Sequence, residues 1–215
     1  MGLDAFLRHL HDPSPGFRCF DCLDDAQRLR LSVRVCHELG DPTSTKLLPA
    51  AVELLGDAGR PFERLYERHN GLVLYAQPDA LRREEWPDYY PAGIRFFPLE
   101  TWPFETQDAQ ALVRQVFMEH EPPDWMKRGF AFGEICHSSN YFIVHPPGPT
   151  AGQIYYLSHD GWDLYDAPVA EDLHEFLDLI VTDPAAFLND MGCYTRYSDG
   201  HSDVQWVPKV YQAAM

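Results

Sequence analysis

Apolar residues return at helical spacing over residues 171–182, where Leu173, Phe176, Leu177, Ile180 and Val181 fall at i, i+3, i+4, i+7 and i+8. Glu171, Asp172, Glu175 and Asp178 fill the positions between them, so the segment predicts an amphipathic helix with its carboxylates in water. Asp183-Pro184 then reads as the cap and first position of a further short helix, AAFLND. Near the start, Leu3, Phe6, Leu7 and Leu10 make a short amphipathic piece that ends at the DPSPG breaker of residues 12–16. Residues 24–39 predict a helix with Leu29, Val33 and Cys36 on one face, widened by Leu31, Val35 and Leu39 and stopped by Gly40-Asp41-Pro42. A second helical region begins near Leu48-Pro49 and is clearest over 61–69, where Phe62, Leu65, Tyr66 and His69 share a face. Pro61 suits its first turn and Asn70-Gly71 its left-handed exit. Residues 108–120 predict another helix, with Leu112, Val116 and Phe117 inward and Pro122-Pro123 after it, and residues 80–85 a short one.

Strand signals lie between these. LVLYA (72–76) follows the Asn-Gly exit, and IRFFPL (94–99) reads as a strand whose Pro98 suggests an edge. Residues 130–135, 141–145 and 153–158 are further strands, the last two joined by a Pro- and Gly-rich hairpin connection, and 161–169 holds another short strand with its turn. In the tail, 194–197 and 204–211 flank the turn Ser198-Asp199-Gly200 and predict a terminal hairpin. Helices, then hairpin-linked strands, then a closing helix is the order of an α+β fold. Strands joined without crossover helices pair antiparallel, so the sheet is expected to be largely antiparallel with flanking helices. The expected organisation is an N-terminal helical extension (1–46), one α+β domain (47–190) and a C-terminal hairpin packed on it (191–215).

Composition narrows the class. The chain has 215 residues, 45% of them hydrophobic, enough for one sizeable core. No apolar run approaches the ~20 residues that span a bilayer. The N-terminal residues carry no secretory pattern, and five cysteines (Cys19, Cys22, Cys36, Cys136, Cys193) is an odd number, so reduced thiols in a cytoplasm are the expectation. Net charge is −16, which opposes binding to nucleic-acid phosphates. Between Arg128 and Arg196 there is no Lys or Arg, and ten carboxylates lie there. Such a stretch reads either as a solvated face or as a one-signed patch that steers a basic partner.

Candidate chemistry is sparse. Cys19 and Cys22 form a CxxC with Cys36-His37 downstream, but a second CxxC is absent and adjacent helical residues diverge by about 100°, so no zinc site is expected. Cys136-His137, with Asn140 close behind and His145 or His159 as a base from a neighbouring strand, is the one constellation that would suit a thiol hydrolase or transferase. The turn His159-Asp160-Gly161-Trp162-Asp163-Leu164-Tyr165-Asp166 lacks the order of a calcium loop and reads as a polar turn or a contact region. No phosphate-binding loop, dinucleotide fingerprint, zinc-protease motif or nucleophile elbow is present, so no cofactor and no catalytic residue is assigned.

Two segments together resemble the SUKH superfamily. PFERLYERHNGLVLYA (61–76) is similar to the helix, Asn-Gly exit and strand near the start of such domains. FGEI (132–135), NYFIV, QIYYLS, DAPV (166–169) and AEDLHEFLDLIVTDP are similar to the family's sheet segment and closing helix, with Asp172-Leu173 where the family more often has Ser-Phe. The likeness spans about residues 47–190, with nothing matched over 77–124. It implies an antiparallel α+β fold and a non-catalytic role, either as an immunity protein that binds a cognate nuclease or deaminase toxin domain, or as a regulatory scaffold in cell-wall assembly. A basic toxin surface would favour concentrated carboxylates in its inhibitor. On that reading the expected contact region is Asp160, Trp162, Asp163, Tyr165 and Asp166 with Glu171 and Glu175, the two aromatics as anchors or as core.

Overall fold

The computed structural model describes residues 2–11, 18–22, 29–34, 36–76, 93–116, 121–136, 139–158, 167–191, 195–196 and 203–206. The chain folds as an α+β protein. Its main sheet has six antiparallel strands in the order β3 (Cys36–Leu39), β4 (Leu72–Ala76), β5 (Ile94–Phe96), β6 (Phe130–Ile135), β7 (Asn140–Val144) and β8 (Ile154–Leu157). Sequence order and spatial order coincide, as expected where no connection crosses the sheet. A second, four-stranded sheet has the order β2 (Leu29–Arg34), β1 (Arg18–Cys22), β10 (Asp203–Trp206) and β9 (Thr195–Arg196). The expected terminal hairpin forms, with Asp203 opposite Arg196, and it also pairs with β1.

The helix expected over 24–39 is corrected to strands β2 and β3. Leu29, Leu31 and Val33 alternate with Arg30, Ser32 and Arg34, a period of two as well as a partial period of 3.6, and the pairing of β2 with β1 and of β3 with β4, each at the edge of its sheet, decides between them. Strand β5 lies mid-sheet rather than at an edge: it ends at Phe96, and Pro98 falls beyond the ladder. Helix α4 (Trp102–Val116) begins six residues before the expected start, and its buried positions are Trp102, Thr106, Ala109 and Val113, with Leu112 only partly covered. Of the strand expected over 161–169, residues 161–166 lie outside the described residues and 167–169 form no strand; an isolated bridge joins the next residue, Ala170, to Ile154. The helix expected over 80–85 lies outside the described residues.

One face of the main sheet is built from aromatic rings. Phe96, Phe132 and Phe142 pack against Phe6 of α1 (Gly2–His11), Phe62 of α3 (Arg60–Tyr66) and Phe176 of α6 (Leu173–Thr182). Helix α2 (Pro49–Leu55) buries Ala51 and Leu55 in the same core, and α7 (Pro184–Asp190) adds Phe187 and Leu188. Helix α6 starts as its sequence dictates: Asp172 is the N-cap and accepts from the Glu175 amide at 2.9 Å, while Glu175 accepts from the Glu171 amide at 2.7 Å. Leu173, Phe176, Leu177 and Ile180 are buried.

The other face carries α4 and α5 (Asp124–Arg128) over its β6–β8 half only. Trp125 stacks on Tyr155 at 4.7 Å, and Thr106 Oγ1 accepts from the Ala131 amide. The Asn70-Gly71 exit fixes how the other half ends. Gly71 has φ of +93°, the Asn70 side chain accepts from the Leu99 amide, and a Cβ on Gly40 would lie 2.3 Å from Asn70 O. Only glycine lets the end of β3 approach that turn so closely.

Candidate functional site

Cross-strand pairing lines up Glu38, Val73, Arg95, Glu134 and Tyr141 on the face that carries α4 and α5, beyond the part those helices cover. Glu38 and Arg95 are exposed, and Val73, Glu134 and Tyr141 half-buried. Arg95 Nη1 donates to Glu134 Oε1 at 2.9 Å, a pair of neighbouring strands on a partly dry surface. From α4, Glu105 and Asp108 add two more carboxylates one helical turn apart.

These groups act on one another. Burial raises the Glu134 carboxyl above its ordinary range; Arg95 offsets part of this and Glu105 adds to it. Glu105 is raised by burial and by Asp108, and the Tyr141 phenol by burial and by Glu134, Asp108 and Glu105. Glu134 and Glu105 therefore share the Arg95 guanidinium, with Asp108 beside Glu105 and Glu38 across Val73, and burial holds Glu134 and Glu105 at a cost in charged form that a further cation would relieve. A shallow groove of about 350 Å3 continues the face past the ends of the strands, lined by Glu38, Leu39, Gly71, Val73, Arg95 and Pro98.

The residues expected from sequence divide. Asp160, Trp162, Asp163, Tyr165 and Asp166 lie outside the described residues, as do His137 and His159. Glu171 and Glu175 are exposed, but Glu175 lies on α6 and Glu171 just before its N-cap, and α6 packs on the opposite face of the sheet from Arg95 and Glu134. Their carboxylates are engaged locally, Glu175 on the Glu171 amide and Glu171 on the Gln153 side chain at 2.7 Å. Sequence reading missed Glu38, Arg95, Glu105, Asp108, Glu134 and Tyr141 as a group, since only strand register brings them together. The alternation of Ile94-Arg95-Phe96 was the one local sign that Arg95 faces away from the core.

The thiol constellation is not assembled in the described part. Cys136 is buried beside Val73, and burial pushes its thiol up to about 12, with Glu134 and Glu38 adding to the effect of burial and Arg95 opposing it. A thiol in that state is protonated near neutral pH and is a poor nucleophile. Asn140 turns its amide the other way, onto Tyr156 Oη at 2.7 Å. His145 lies at the far end of β7, about 17 Å of strand from Asn140 at ~3.4 Å per residue. There its buried ring contacts Pro146 O at 2.9 Å and Asp124 Oδ2 at 3.3 Å. Among the described residues no group of three or more His, Cys, Asp or Glu is placed to hold a metal ion, and no helix is long and apolar enough to cross a membrane.

No protein-family model matches the chain, and no curated protein matches its sequence.

Proposed function

We propose that this chain is a non-catalytic binding domain that captures a basic protein partner, and that it serves as an immunity protein against a toxin domain of nuclease or deaminase type. The observation that carries the reading is the half-sheet left open among the described residues, where Glu38, Glu105, Asp108 and Glu134 lie on the same face as Arg95, beside Val73 and Tyr141. An interface needs an apolar and aromatic centre with charges that select the partner. Val73 and Tyr141 supply the first, and the excess of carboxylates selects cationic surface. The chain's net charge of −16 extends the same preference over long range and speeds encounter with a basic partner. The resemblance to SUKH domains supports the same role, and the carboxylates Asp160, Asp163, Asp166, Glu171 and Glu175 expected from sequence belong to the same reading.

The test is a kinetic binding measurement against the toxin domain encoded beside this chain's gene. It compares wild type, the triple variant Glu105→Gln, Asp108→Asn, Glu134→Gln, and the triple variant Asp160→Asn, Asp163→Asn, Asp166→Asn. Binding through the open half-sheet predicts that the first variant loses about tenfold or more in on-rate at low salt and flattens the salt dependence. Loss confined to the second variant would move the contact to the acidic turn. Undiminished association of both, or no association of wild type, rejects the acidic surface as the contact.

A further inference from the structure

Helix α1 is fastened to the body by a seam of imidazoles. At its N-terminal end the Gly2 amide donates to Asp178 Oδ1 at 2.8 Å and the Leu3 amide to His174 Nδ1 at 3.3 Å, one turn apart on α6. These satisfy two of the backbone donors that a helix start leaves open. At its C-terminal end His9 lies 5.2 Å from His37 of β3, and His11 lies 5.3 Å from His69, ring centre to ring centre. His9 Nε2 also meets Tyr75 Oη at 3.2 Å, and that hydroxyl donates to Ile180 O at 3.0 Å, so the His9 proton is on Nε2.

His37 does more than fill space. Between the pairs Cys36–Ala76 and Glu38–Val73, β4 contains one residue more than β3, so the ladder carries a bulge. Tyr75 sits in that bulge with φ of +59°, a conformation rare for a bulky residue. Its amide donates instead to His37 Nδ1 at 3.2 Å. The imidazole thus stands in for the missing strand carbonyl, and the bulge aims the Tyr75 ring at α1 and α6. With Nδ1 accepting, the ring proton is on Nε2, which is buried with no hydrogen-bond partner.

We propose that this seam is a pH-released latch: protonation of His37 removes the acceptor that holds the Tyr75 bulge and frees α1 from α6 and the sheet, while the rest of the sheet stays folded. His174 reinforces it, because a protonated Nδ1 cannot accept the Leu3 amide. The charged and titratable groups that face the seam are His9, His11 and the Asp4–Arg64 pair of α1 and α3, His174 and Asp178 of α6, Tyr75 of β4, and Arg68 beside His69. Asp4 and Arg64 are paired with each other at 2.9 Å, and Asp178 accepts from the Gly2 amide and does not replace the His174 acceptor of the Leu3 amide.

Burial, with His9 second, lowers His37 to about 3 in the closed form. In an open form it returns to about 6.5, so the open population rises ~30-fold between pH 7.5 and pH 5.0 from this group alone. The experiment is hydrogen–deuterium exchange of the full chain at those two pH values, corrected for intrinsic exchange. Amides of residues 4–11 and of Tyr75 are expected to open about 30-fold more often at the lower pH, with those of β6 and β7 unchanged. His37→Asn keeps an acceptor near the Nδ1 position without a titrating ring, and should leave α1 seated with its pH dependence largely gone. A wild-type change below about threefold, an equal change throughout the sheet, or an undiminished pH dependence in His37→Asn overturns the proposal. Should that variant not fold, the wild-type imidazole signals decide: a His37 that titrates near 6.5 while α1 remains protected overturns it equally.

Discussion

Replacing Phe176 by alanine tests the core more directly than any other single change. Its side chain is fully buried, with ring centres 4.8 Å from Phe142, 5.7 Å from Phe132, 5.8 Å from Phe187 and 6.1 Å from Phe96. A buried phenylalanine removes roughly 150–250 Å2 from water, which at ~25 cal/mol per Å2 is about 4–6 kcal/mol, of which alanine keeps a part. Edge-to-face partners add about 0.5–1.5 kcal/mol beyond area, and the rings around the site are held by four elements and cannot collapse into the void. The expected loss is therefore about 4–5 kcal/mol, in the upper part of the ~3–5 kcal/mol range for such truncations and a large share of a domain's ~5–15 kcal/mol. Urea unfolding followed by tryptophan fluorescence reads it as a fall in midpoint at constant slope. Phe104, 63% exposed on α4, is the control, and its alanine variant should stay within about 0.5 kcal/mol of wild type. A Phe176→Ala loss below about 2 kcal/mol would mean that α6 is not seated on the sheet as described.

Further outcomes follow from single contacts. Tyr75→Phe leaves the Ile180 carbonyl, near the end of α6, without its 3.0 Å donor and should cost about 1–2 kcal/mol in the same unfolding assay, with Tyr141→Phe as the half-buried comparison. Asp172→Ala removes the α6 N-cap and should cost about 0.5–2 kcal/mol, while Asp172→Asn retains most of it. Cys136, with its thiol pushed up to about 12, should alkylate at pH 8 on the order of a thousandfold more slowly in native than in unfolded protein, read by peptide mass spectrometry. Because His37 is lowered in the folded state, its contribution to stability is complete above about pH 6.5 and is lost as pH falls towards 3; His37→Asn should flatten the wild-type fall in unfolding midpoint over that window.

Residues 171–182 were legible because they carry one helical period, and the strand runs at 72–76, 130–135 and 141–145 because they are short, largely apolar runs bounded by turn signals. Asn70-Gly71 could be read as an exit because Gly71 takes its positive φ from local backbone chemistry, whereas the bonds of Asn70 to Asp41, Leu99 and Glu100 come only with the fold. Residues 29–39 were not legible: Leu29, Leu31, Val33, Cys36 and Leu39 satisfy helix and strand periods together, and only the pairing of 29–34 with 18–22 in one sheet and of 36–39 with 72–76 in the other selects strands. The same holds for the mid-sheet place of Ile94–Phe96 and for the buried side of α4, whose Trp102 is anchored by Tyr66 and Phe97 rather than by its own helix. The candidate surface is the extreme case. Glu38, Arg95, Glu105 and Glu134 come from four elements, and no local spacing relates them. A chain fixes its periodicities by covalent order alone, whereas register and the choice of covered face are settled by which distant segments bury the most apolar surface together, and it is register that placed these charges side by side.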